Sequence, residues 1–136
     1  MNNDSHTITS NTSTKPNTSI KRSHPIGFRI YDDALEVVRM VRPYRIAIEK
    51  EDPDQARQLR RSSKSIPYNI AEAYGGRGKN QKARLTDALT SARETLTNLE
   101  VAVADGIIEG IDEVLRNRLN RIIGSLVKLS RASRQQ

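Results

Sequence analysis

The chain has no cysteine, no tryptophan and one phenylalanine, Phe28, in 136 residues. Without cysteine there is no disulfide framework, no thiolate metal site and no thiol nucleophile. With aromatics at 4%, a core has to be built from Leu, Ile, Val and Ala, which pack closely along helix seams. No run of about 18 apolar residues occurs, so no segment is fit to span a bilayer as a helix. The first residues are polar, which speaks against a secretory signal; a cytoplasmic protein is expected. Histidine is nearly absent as well, with only His6 and His24, both at or before the start of the patterned sequence. No Ser–His pair can then form inside the domain, and no helix offers the Glu-x-x-His pattern of a di-iron bundle. Glu100 is the acid nearest an apolar seam and reads as an ion-pair partner. The expectation is no enzyme, no metal, no cofactor and no small-molecule substrate.

What the chain does have is positive charge, a formal +7 and an isoelectric point of about 10.1. That favours an anionic partner, and nucleic acid is the commonest one. The competing reading is a basic surface that is merely solvated. The length suits one domain with one core. Residues 1–27 are dominated by Asn, Ser and Thr, show no period and cannot bury enough surface to offset their ordering entropy. A disordered tail is expected there, and a folded domain over residues 28–133.

From Tyr31 onward helical periodicity appears four times. The second segment carries Ala56, Leu59, Ser63, Ile66, Ile70 and Ala73 at alternating steps of three and four. Leu85, Leu89, Ala92, Leu96, Leu99 and Val103 do the same in the third, and Leu115, Leu119, Ile122, Leu126 and Leu129 in the fourth. Such spacing averages about 3.5 and draws one narrow apolar stripe, the seam of left-handed bundles. The first segment has Ala34, Val37, Val41, Tyr44 and Ile48, with Pro43 expected to kink or divide it. Asp52-Pro53 is a helix start, Gly75 and Gly76 supply a left-handed helix end, Asp105-Gly106 closes the third segment, and Asp112 caps the fourth. Short links make neighbours antiparallel. The fold expected is all-α, an up-down-up-down antiparallel four-helix bundle behind a disordered N-terminal tail.

AYGGRGKN, residues 73–80, sits close to the phosphate-loop pattern G-x-x-x-x-G-K-[ST]. Ala73 stands in place of the first glycine and Asn80 in place of the hydroxyl that would hold Mg²⁺. A helix precedes it where a strand is required. The segment is a turn between helices.

The stretch QLRRSSKSIPYNIAEAYGG, residues 58–76, resembles the signature of a bacterial four-helix-bundle family encoded in intervening sequences of large-subunit ribosomal RNA genes. Its members read Q-L-R-R-A-A-x-S-I-P-x-N-I-A-E-G there. Gln58, Leu59, Arg60, Arg61, Ser65, Ile66, Pro67, Asn69, Ile70, Ala71 and Glu72 match in position, while Ser62, Ser63 and Ala73 depart from it. The family's F-L-x-x-A-x-G-S-x-x-E-L is similar to the run around Leu89, Ala92 and Leu99, and its L-G-Y-I to Asp105-Gly106-Ile107-Ile108. The likeness covers residues 31–130. It implies a homopentamer around a channel, and a fold similar to the accessory variability determinant of diversity-generating retroelements, a basic pentamer that works with a reverse transcriptase and RNA.

On a helical wheel with Leu59 inward, Arg57, Arg60, Arg61 and Lys64 gather on the opposite side with Tyr68, and Glu72 lies at the margin. Like charges at such steps repel by about 0.2–0.5 kcal/mol per pair. They meet acids of a neighbouring helix or subunit (Glu49, Glu51 and Asp52 are candidates), or phosphates, or only solvent. Pro67 is expected to kink its helix, with small Ser62 and Ser63 relieving the crowding, and Asn69 is placed to hydrogen-bond across helices. Arg77, Lys79, Lys82 and Arg84 crowd the start of the third helix, whose terminus is already positive. They form a weak anion site or a solvated turn. Arg116, Arg118, Arg121, Lys128, Arg131 and Arg134 spread around the fourth helix and suit long-range attraction. The leading expectation is sequence-tolerant binding of nucleic acid, RNA first, through Arg57, Arg60, Arg61, Lys64, Arg77, Lys79, Lys82 and Arg84. Tyr68 and Tyr74 are the only aromatics nearby, so specificity from stacking is expected to be weak. The rival is a structural or adaptor homo-oligomer with no nucleic-acid role.

Overall fold

The structure, a computed structural model, describes residues 27–132; the tail expected over residues 1–27 and the last four residues lie outside this range, Gly27 excepted. Four helices follow one another: α1 (Gly27–Glu49), α2 (Pro53–Gly75), α3 (Gly78–Ala104) and α4 (Glu113–Ala132), with no strand among the described residues. Each helix lies against the next, and α1 closes on α4, the α2–α3 contact being the most extensive. The links at residues 50–52 and 105–112 share one end of the antiparallel bundle, and the link at residues 76–77 forms the other.

The stripes meet as their spacing demands. Ala34, Val37, Val41 and Ile48 of α1 are buried, as are Ala56, Leu59, Ile66, Ile70 and Ala73 of α2, and Leu115, Leu119, Ile122 and Leu126 of α4. In α3 the stripe is turned. Leu96 and Val103, expected in the seam, are only partly buried, while Ala88, Ser91, Thr95 and Ala102 are buried instead. The extensive contact with α2 rotates α3 toward that neighbour, and small residues let the two backbones approach.

Two local expectations change. Pro43 does not divide α1, which runs unbroken to Glu49 with the ring on the exposed side; a solvent-facing proline loses one hydrogen bond where water can replace it. Pro67 lies inside α2, as expected, and is buried. Gly75 and Gly76 do not supply the left-handed residue: Gly76 is extended at φ −111°, and the left-handed glycine of that turn is Gly78, at φ 60°. The chain thus turns at the entry to α3. The C-terminal carbonyl of Ala73 is satisfied by the backbone N–H of Gly76 at 3.2 Å and by the Gln81 side-chain amide, also at 3.2 Å.

The other three expected punctuation marks hold. Asp52 accepts the Gln55 N–H at 3.0 Å with Pro53 following it, and Asp112 accepts the Val114 N–H at 2.7 Å. After α3, Gly106 at φ 76° allows its N–H to reach Val103 O at 3.0 Å and the Ile107 N–H to reach Ala102 O at 2.9 Å. That pair of bonds is a Schellman motif.

Candidate nucleic-acid interface

The outward face of α2 is cationic for steric and periodic reasons. Leu59, Ile66 and Ile70 fix which side points inward, so residues about 180° away project into solvent. Arg57, Arg60, Arg61, Lys64 and Tyr68 are all exposed there. Arg57 is held by Asp54, one turn earlier. Arg60, Arg61 and Lys64 have no carboxylate at ion-pair distance among the described residues, and the acids at the end of α1, Glu49, Glu51 and Asp52, do not reach them.

At the far end of the same helix the second cation group divides. Arg77, the residue before α3, makes no side-chain cap, so the first N–H groups of α3 have no side-chain acceptor from it. Arg77 and Lys79 are exposed and Lys82 is half-buried, and none of them is ion-paired among the described residues. Arg84 is different. Its Nε donates to Glu72 at 3.0 Å, and its Nη1 lies 3.6 Å from Asp87, so it ties α3 to α2 and its charge is met by acids.

The motif that carries the family likeness serves mainly as structure. Ile66, Pro67 and Ile70 are buried, Ala71 is exposed, and Glu72 belongs to the Arg84 pair. Asn69 does not bond across helices as expected. Its amide donates to Ser65 O and Ser65 Oγ, each at 2.9 Å, within α2. The residue that crosses is Ser65, whose Oγ accepts from the Ser91 hydroxyl at 3.0 Å. Thr95 reaches Ser62 Oγ at 2.9 Å, and the Gln55 amide donates to Asn98 O at 3.0 Å. These polar rungs satisfy buried and half-buried groups in the most extensive helix contact, where an unpaired hydroxyl would be destabilising. Sequence reasoning missed their α3 members. The signal was there: Ser91, Thr95 and Asn98 recur at steps of four and three along the margin of the apolar stripe.

The arginines of α4 are not a diffuse positive field. Arg118 and Arg121 donate to Asp33 of α1 at 2.8 and 3.5 Å, and Arg116 donates to Glu100 of α3 at 3.1 Å. Half of that expected set is engaged between helices, Lys128 and Arg131 remain near the end that holds Arg77, and Arg134 lies outside the described residues. Glu100 is thus the ion-pair partner its position suggested.

Charge is also segregated along the chain. From residue 57 to 84 the sole acid among eight cations is Glu72. From residue 85 to 113 the sole cation is Arg93, against Asp87, Glu94, Glu100, Asp105, Glu109, Asp112 and Glu113. Burial pushes the Tyr74 phenol above its ordinary pKa of 10.0. Among the described residues, no cluster of three or more His, Cys, Asp or Glu side chains is placed to hold a metal ion, and no helix is long and apolar enough to cross a membrane.

Among solved structures, one similar chain is a protein of unknown function from the S23 ribosomal protein family of Bacteroides thetaiotaomicron, determined at 1.70 Å resolution. It superposes with a TM-score of 0.64 at 23% identity, covering 74% of this chain and 97% of that one. At that identity the likeness speaks for the fold. No curated protein matches significantly. The profile described as 23S rRNA-intervening sequence protein matches residues 28–128, from the start of α1 to the last turns of α4. The signature in α2, the four-helix architecture and this match agree: the chain belongs to the 23S rRNA-intervening sequence protein family.

Proposed function

We propose that this protein acts by binding and not by turnover, as a homo-oligomeric helical bundle that contacts nucleic acid through phosphate groups, RNA in the first instance. The observation that carries the reading is the trio Arg60, Arg61 and Lys64, exposed on one helix face with no acid among the described residues to neutralise it. Arg77, Lys79 and Lys82 continue the positive surface past the end of α2, beside an uncapped helix start that adds partial positive charge. RNA comes first because the family's description names 23S rRNA. Arg57 and Arg84, neutralised by Asp54, Glu72 and Asp87, contribute less than the sequence suggested.

A salt titration tests this. With the six unpaired cations engaged on a single strand, log K should fall linearly with log salt at a slope of about −4. Absence of RNA binding at about 50 mM salt overturns it.

One observation favours the adaptor reading. Ile46, Val101 and Val114 are exposed apolar side chains on three helices, all toward the end formed by residues 50–52 and 105–112. That end would then receive protein. If Arg60→Glu with Arg61→Glu lowers the native mass and leaves RNA affinity unchanged, the arginines belong to subunit contacts and the adaptor reading stands.

A further inference from the structure

Three of the four tyrosines have structural work inside the bundle. Tyr31, Tyr44 and Tyr74 pack against the core, and the Tyr44 hydroxyl accepts the Asp112 backbone N–H at 2.8 Å, tying α1 to the start of α4. Tyr68 does none of this. It is 70% exposed, and among the described residues it is the most exposed large hydrophobic side chain and its hydroxyl makes no hydrogen bond. An aromatic ring left in water at the apex of a cationic face is poorly explained by stability.

Its surroundings are specific. Lys64 and Arg61 stand about one and two turns before it on the same face, roughly 6 and 10 Å along the axis. Arg77 and Lys79 lie beyond the end of the helix on the other side. Between the ring and that second cation group the outward positions are Ala71, Glu72, whose carboxylate is paired with Arg84 at 3.0 Å, and Gly75, where an added side chain would meet nothing within 4 Å. The ring thus has cations fore and aft, and between it and the second group stand two small residues and one carboxylate already met by Arg84.

We infer that Tyr68 is a base-stacking platform, and that this face takes single-stranded polynucleotide in preference to duplex; the inference rests on the nucleic-acid reading above and deepens it. A single strand offers unstacked base faces that can lie on an exposed ring while its phosphates run to cations on either side. In a duplex those faces are stacked on one another, and a ring on a convex helix surface cannot reach them. Stacking on one tyrosine tolerates any base, so it adds affinity without sequence preference.

The test compares a labelled oligouridylate with its duplex on oligoadenylate, by fluorescence anisotropy, using the full chain. The single strand is expected to bind more tightly. Tyr68→Ala is expected to weaken single-strand binding by roughly 5- to 150-fold, leave duplex affinity and the salt slope unchanged, and be rescued by Tyr68→Phe. Equal loss on both probes, or none on either, overturns the platform while salt-dependent binding keeps the nucleic-acid reading intact. Binding of neither probe by the unaltered protein overturns that reading itself. A fall in native mass for Tyr68→Ala identifies the ring as a contact between copies and also overturns the platform.

Discussion

At the end of the bundle where α1 passes to α2 and α3 to α4, both new helices start on carboxylates. Asp52 caps α2 and Asp112 caps α4, Asp54 and Glu113 stand in their first turns, and each negative group lies by a positive helix terminus. At the opposite end α3 starts on Arg77 with no side-chain cap and no acid in its first turn, and Lys79 and Lys82 follow. Cations there oppose the helix dipole by about 0.3–1 kcal/mol each. One end has the arrangement that helix stability asks for, and the other has its reverse. An incoming anion would relieve the second end and be repelled by the first, so the contrast would orient a bound polyanion.

The sharpest way to break this comparison is to reverse charge at each end separately. Arg77→Glu with Lys79→Glu and Lys82→Glu should lower RNA affinity by about two orders of magnitude and flatten the salt slope by about one per residue. Asp105→Lys with Glu109→Lys, both exposed at the acidic end, should leave affinity equal or slightly higher. Equal losses from both sets, measured by anisotropy at fixed salt, would erase the distinction between the ends.

The next effect is on stability and has opposite signs at the two helix starts. Asp112→Ala removes a cap and should destabilise by about 0.5–2 kcal/mol, seen as a lower midpoint in urea. Arg77→Asp places a cap where none exists and should stabilise by about 1 kcal/mol while weakening RNA binding. A variant that gains stability with no loss of binding would detach Arg77 from the anion site.

The smallest expected effect concerns Tyr74, in the last turn of α2. Its raised pKa comes from burial, so the folded state holds the phenolic proton more tightly than the unfolded state. The stability this contributes is complete below the unfolded value near 10.0 and is lost as pH rises above it. Tyr74→Phe should flatten the alkaline limb of a stability-versus-pH curve and leave neutral pH nearly unchanged.

A second contrast lies within α2. Its core stripe was legible because every member is fixed by one short-range rule: Leu59, Ile66 and Ile70 share a face whatever the helix packs against. The margin was not legible in the same way. Asn69 stays within its helix and Ser65 crosses to Ser91 because the close approach of α3 decides which polar group meets a partner. In α3 the same approach replaces Leu96 by Thr95 in the buried set. At the turn, two glycines in a row could each have taken the left-handed conformation, yet neither does. Gly78 takes it, since the geometry of α3 against α2 sets where the backbone must reverse.

Four helices, their caps at Asp52 and Asp112, and the crowding of cations on α2 were determined by the sequence alone, because periodicity and capping act over a few neighbouring residues. Which cations stay free was decided by tertiary structure. Arg84, Arg116, Arg118 and Arg121 are neutralised by acids between 12 and 88 residues away in the chain, while Arg60, Arg61 and Lys64 meet none among the described residues. Ion pairs between helices depend on the register of elements remote in sequence, and that register exists only once the apolar stripes have met.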